Sequence, residues 1–175
     1  MAWLLRWTVA GGAALAWLAA IVLARTGVTG PGGLLAPVTA FVASVVQGVL
    51  AWAGLNVLRH DALLYIPGGF AFEVAAGCTG ILPAAVIAVA ILVSPATAAA
   101  KRFGLVVALP LVLAVNLLRL IHLFYLGVHA PQEFALAHMY VWEAVLVVFT
   151  FATWVTWIRW ATAREVGAPR PWRSR

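Results

Sequence analysis

The sequence predicts an all-α polytopic integral membrane protein, with about five transmembrane helices and a short hairpin-like extracytoplasmic loop. Three observations carry that prediction. Of 175 residues, 65% are hydrophobic and 9% charged, against about 45–50% apolar and about 25% charged in an ordinary soluble domain. Apolar runs recur at about the 20-residue length that crosses a bilayer. Some of the loops between those runs carry Lys and Arg and others carry none. With a mean hydropathy of +1.05, the chain cannot hide its apolar surface from water. A soluble enzyme, a nucleic-acid binder and a disordered chain are excluded, and the lipid bilayer is the expected solvent. The net charge of +6 then reports orientation rather than a nucleic-acid partner. Residues 1–175 are read as a single membrane domain, of which 161–175 form a basic cytoplasmic tail.

The first expected span runs from about Trp7 to Ala24. The Gly/Pro-rich stretch from Thr26 to Pro37 closes it, because it cannot continue a helix. Its apolar character also fits a signal peptide, but Leu23-Ala24-Arg25 makes a poor small-residue cleavage site, so an uncleaved helix is expected. The second span extends from about Val38 to Leu58. The third begins just after Cys78 and reaches Pro95. The fourth, from about Phe103 to Leu126, contains Pro110, where a kink is expected. The fifth runs from about Met139 to Trp160. Trp3, Trp7, Trp142, Trp157, Trp160 and Trp172 fall near span ends and read as an interfacial aromatic belt.

Charge sets the expected topology. The loop after the third span carries Lys101 and Arg102 with no acid, and the tail carries Arg159, Arg164, Arg170, Arg173 and Arg175 against Glu165. Both are expected on the cytoplasmic side. The loop between the fourth and fifth spans has neither Lys nor Arg and is expected outside, as is the segment from Arg59 to Gly77. Five spans with a cytoplasmic C-terminus put the N-terminus outside.

Ionisable groups within or at the edge of a span are costly, and each calls for a reason. Cys78, the single cysteine, lies in Gly77-Cys78-Thr79-Gly80, with Pro83 shortly after. Pro is tolerated in the first turn of a helix, so the third helix is expected to begin near Thr79 or Gly80, with Thr79 as N-cap. A thiol at a helix start feels the positive end of the dipole, which favours thiolate. The flanking glycines leave room for a substrate backbone. The alternative is a buried structural cysteine.

Arg119 lies sixteen residues past Phe103, about 24 Å along a helix. That depth is just below the outer surface of a hydrocarbon core of about 30 Å. Asn116, three residues earlier, shares nearly the same face. The alternative is an arginine snorkelling to head groups, which leaves Asn116 unexplained. His138 precedes the fifth span on the same outer side and can exchange a proton near neutral pH. His122, one turn beyond Arg119, and Glu73, in the loop before Cys78, are expected to support the site or the substrate. Glu143 is five residues past His138, on a nearby but not coincident face. His60, His122, His129 and His138 lack metal-ligand spacing, and one cysteine excludes both an internal disulfide and a four-cysteine site; no metal or cofactor is expected. In the outer loop, Leu63 to Ile66 and Phe70 to Val74 flank Pro67-Gly68-Gly69 and read as a hairpin. It could cover the site, or hold an extended peptide at its edge.

A cysteine at a helix start, Asn-x-x-Arg on the next helix and His at the head of the following one resemble the exosortase/archaeosortase family. The matching residues are Gly77-Cys78-Thr79-Gly80, Asn116-Leu117-Leu118-Arg119 and His138, and the resemblance covers residues 70–160. His138 points to the bacterial branch, where the archaeal one has Arg, and the compact chain resembles the short H-type. Thr79 departs from the Ser frequent at that place. The resemblance implies a membrane-embedded cysteine protease or transpeptidase of the inner membrane, with its site facing the periplasm. It would act on C-terminal sorting signals of exported proteins. Cys78 would attack a peptide carbonyl to form a thioester, Arg119 would stabilise the oxyanion, and His138 would move protons. Water as the second nucleophile makes a protease; an amine on an unidentified acceptor makes a transpeptidase. Asn116, Thr79, Gly80, His122 and Glu73 would support the site or bind substrate. The rival readings are a non-enzymatic membrane scaffold and a haem or quinone site built on His122 and His138.

Overall fold

The computed structural model describes residues 33–167. The expected first span from Trp7 to Ala24, together with Trp3, Trp172 and the last residues of the basic tail, lies outside them. The elements in order are α1 (Ala36–Trp52), β1 (Leu58–His60), β2 (Leu63–Tyr65), β3 (Ala71–Glu73) and a 3-10 turn (Ala76–Cys78). There follow α2 (Ile81–Val93), α3 (Ala98–His129), α4 (Pro131–Leu136), a π-helical turn (Ala137–Val141) and α5 (Trp142–Gly167).

Among the described residues two helices are long and apolar enough to cross a membrane: Ala98–His129, and the continuous run Pro131–Arg164 that joins α4, the π turn and α5. The apolar helices α1 and α2 are shorter, at 17 and 13 residues, about 26 and 20 Å long. Large apolar side chains such as Val106, Val148 and Phe151 stay exposed on the outer faces of α3 and α5, as they should where the surroundings are hydrocarbon.

The expected second span is too long at its C-terminal end. Helix α1 stops at Trp52 because Gly54 adopts φ +87°, and the N–H groups of Gly54 and Leu55 bond back to the carbonyls of Ala51 and Leu50, both at 3.0 Å. This is a Schellman stop, in which the glycine takes the left-handed position that a side chain would resist. Leu58, expected at the span's end, instead opens β1.

The expected hairpin is present and gains a third strand. The sheet order is β1-β2-β3, antiparallel throughout, with Arg59 opposite Leu64 and Leu64 opposite Phe72. Its second turn has Pro67 followed by Gly68 at φ +72°, closed by Gly69 N–H to the Ile66 carbonyl at 2.9 Å, which is type II geometry. Leu64, Phe72 and Val74 point inward and pack with Val46 and Leu50 of α1 and Leu120 and Phe124 of α3. Phe70 fills a notch at Gly127 where any Cβ would collide with its ring. Its edge meets Phe124 and Phe134 at centroid distances of 5.6 and 5.5 Å.

A second core lies at the other end of the bundle, where Ile87 and Ile91 of α2 meet Ala108 and Val112 of α3 and Trp157 and Ala161 of α5. Trp157 is buried there, not part of an interfacial belt. Its indole occupies the space left by Gly104 and donates to the Ala100 carbonyl at 3.1 Å. Trp160 does lie at the rim, stacked on Phe103 at 4.6 Å with the Arg164 guanidinium 4.6 Å from its ring centre.

Candidate active site

The 3-10 turn delivers Cys78 to the start of α2, and a single glycine sets how. Gly80 has φ +81° and is the N-cap of α2. The expected capping by Thr79 is therefore displaced by one residue. The Thr79 hydroxyl donates to the Ala76 carbonyl at 2.7 Å and lies 3.4 Å from the Ile81 N–H, tying the 3-10 turn to the helix start. Gly80 does not hold space open for a substrate, because a Cβ there would lie 2.9 Å from the Asn116 amide. Gly77 is the open one: nothing lies within 4 Å of its Cβ position.

Asn116 and Arg119 project from α3 one turn apart, and both are buried, at 2% and 3% exposure. Asn116 Nδ2 donates to the Cys78 carbonyl at 2.8 Å, bridging α3 to the 3-10 turn. Arg119 Nη2 donates to Glu143 Oε1 at 2.7 Å, and it lies 3.4 Å from both the Nδ1 atom and the carbonyl oxygen of His138. The His138 ring is backed by Phe134, stacked at 5.7 Å.

Glu143 is the residue whose place sequence spacing misjudged. Five residues separate it from His138, which in an α-helix sets the two on different faces. Between them the backbone forms the π turn, in which Trp142 N–H bonds to the Ala137 carbonyl, an i to i+5 closure. Residues five apart are then stacked one above the other, and both reach Arg119. Single π turns of this kind concentrate at functional sites.

The remaining expected residues go elsewhere. The His122 Nδ1 atom accepts from the Trp142 indole at 3.0 Å. Glu73 sits at the end of β3, exposed, on a cavity it shares with His60, Asp61 and the start of α1. The two histidines of the haem or quinone reading thus take different partners. Among the described residues, no group of three or more His, Cys, Asp or Glu side chains is placed to hold a metal ion.

A cavity of about 360 Å³ opens beside the cluster, lined at one end by Gly77, Asn116, Arg119 and Glu143. Cys78 and His138 are not among the residues that line it. Burial pushes the Cys78 thiol above its ordinary pKa; the Arg119 charge pulls it down by less, and Glu143 pushes it up again. Burial thus works against the thiolate that a helix start would favour.

The sequence model of one protein family, described as transmembrane exosortase, matches residues 1–158. That stretch contains Cys78, Asn116, Arg119, His138 and Glu143. No curated protein and no solved structure matches the chain.

Proposed function

The chain belongs to the transmembrane exosortase family, and from that premise we propose that it is a cysteine protease or transpeptidase acting on C-terminal sorting signals of exported proteins. It would work in the bacterial cytoplasmic membrane, with the cluster toward the outer side and the basic tail inside. The observation that most supports this reading is two sets of contacts made from neighbouring turns of α3. Asn116 holds the Cys78 carbonyl, and Arg119, one turn along, touches both His138 and Glu143.

In this reading His138 takes the thiol proton as Cys78 Sγ attacks the scissile carbonyl carbon. The buried guanidinium of Arg119 receives the charge that develops on the carbonyl oxygen, in a site where few competing dipoles screen it. The tetrahedral adduct collapses to a Cys78 thioester as the C–N bond breaks, and His138 returns its proton to the leaving amine. Water or an acceptor amine then attacks the thioester, giving its proton to His138, and the sulfur leaves and recovers that proton. Glu143 acts through Arg119, fixing the plane of the guanidinium. Asn116 acts through the backbone, fixing the turn that carries the nucleophile.

The test is mass spectrometry of an exported protein bearing a C-terminal sorting signal, co-expressed with the wild-type chain or with Cys78→Ala. Cleavage and a trapped thioester with the wild type, and neither with Cys78→Ala, are expected. Equal cleavage by both proteins would overturn the reading.

A further inference from the structure

Three buried side-chain atoms among the described residues lack a hydrogen-bond partner: Asn116 Oδ1, Arg119 Nε and Thr150 Oγ1. All three residues are at least nine-tenths buried, and all three line the same cavity. An unpaired buried polar atom costs about 1–3 kcal/mol, so three on one cavity point to a missing occupant that supplies partners.

The shape of the cavity narrows what that occupant is. From α2 it is lined by Leu82, Val86 and Ala90, and from α5 by Glu143, Val147 and Thr150. On each helix these residues recur at one-turn intervals. The cavity is therefore a groove running along both helices for about 10–12 Å. Its walls are mostly apolar; Asn116, Arg119 and Glu143 share one end, and Thr150 lies about 10 Å along α5 from Glu143. Val147 and Phe151, 67% and 62% exposed, open it sideways to the surrounding hydrocarbon.

We propose that this groove between α2 and α5 receives the membrane-embedded apolar segment of a peptide substrate, with Asn116 Oδ1 and Arg119 Nε reading a backbone amide at its outer end. The inference rests on the proposed peptidase activity and adds where the substrate lies. A peptide amide offers one N–H and one C=O, which match an acceptor at Asn116 and a donor at Arg119. An acyl chain offers neither. A phosphate offers acceptors only, leaves Asn116 Oδ1 unpaired and meets the Glu143 carboxylate. The apolar groove between α3 and α5, about 510 Å³ and lined by Gly104, Leu111 and Thr153, has no such vacancy. The Thr153 hydroxyl there is already bonded to the Phe149 carbonyl at 2.8 Å.

The test uses the Cys78→Ala chain in liposomes, with benzoylphenylalanine replacing either Val147 in the groove or Leu111 in the other one. The probe is a synthetic peptide with an extended N-terminal stretch, about 20 apolar residues and an arginine tail. Peptide adducts at position 147 should exceed those at position 111 by about tenfold, and Ala90→Trp, which fills the groove, should abolish the excess. Equal yields, a preference for 111, or displacement of the peptide from 147 by excess phosphatidylcholine would overturn the proposal. If adducts map to 147 but Cys78→Ala still cleaves sorting signals, the groove stands and the peptidase reading fails. If Cys78 is essential but adducts map elsewhere, the reverse holds.

Discussion

Glu143 meets Arg119 at 2.7 Å with its own side chain 57% exposed, while the arginine is 3% exposed. The pair is lopsided: one charge is fully desolvated and the other still touches its surroundings. Removing the carboxylate therefore strands a buried cation, whereas removing only its charge keeps a hydrogen-bond acceptor in place. Glu143→Gln is expected to lower cleavage about tenfold, and Glu143→Ala about a hundredfold, a spread in line with losing an aligned transition-state donor. Cleavage assays on the two variants, with insertion checked by membrane extraction, measure this. Equal effects would mean that Glu143 does not orient the guanidinium.

Arg119→Lys keeps a charge but loses the rigid planar fork that reaches Glu143 with one nitrogen and leaves Nε free. Cleavage is expected to fall about a hundredfold or more, while the protein still inserts and folds. Activity near that of the wild type would reduce Arg119 to a structural partner of Glu143.

Labelling of Cys78 by a membrane-impermeant maleimide on intact spheroplasts reports both side and protonation. With the thiol raised by burial, labelling at pH 7 should be slower than for a free thiol. It should rise about tenfold per pH unit to above a free thiol's midpoint of about 8.5. Arg119→Ala removes the main influence that lowers the thiol and should slow labelling further. Labelling that appears only after permeabilisation would put Cys78 on the cytoplasmic side and end the proposed orientation.

Gly80→Ala tests the turn. A methyl group there meets Asn116 at 2.9 Å in a backbone with φ +81°, so the backbone strain alone costs about 1–2 kcal/mol. Asn116 must yield, releasing the Cys78 carbonyl. A lower unfolding temperature together with lost cleavage is expected; Gly77→Ala, with open space around its Cβ, should leave the unfolding temperature nearly unchanged.

The legible parts of the sequence were those where one residue type has one physical use. Pro67-Gly68 could only turn, and the hairpin is there. Pro83 had to fall in a first helical turn, and α2 begins at Ile81. Asn116 and Arg119 could not face lipid, and both are buried. What stayed hidden depended on backbone departures that side-chain periodicity does not register. Leu55, Val57 and Leu58 are apolar enough to continue a span, and only the left-handed Gly54 marks the stop. Glu143 falls off the His138 face by α-helical spacing, and the π turn restores it. Trp157 reads as a belt residue until Gly104, more than fifty positions away, is seen to leave its ring a place in the core.

The i to i+5 closure at Trp142 amounts to a one-residue insertion absorbed within a single turn. Such an insertion leaves the helix on either side in its own phase, so a deletion that removes one of Met139, Tyr140 or Val141 need not disturb the seat of Trp157 at Gly104 or the stacking of Phe134 beneath the hairpin. It would leave His138 and Glu143 four positions apart, about 40° around an α-helix, so the pair would still share one face. The chain carries one residue more here than a plain α-helix needs, and the wide turn takes it up while His138 and Glu143 both still meet Arg119.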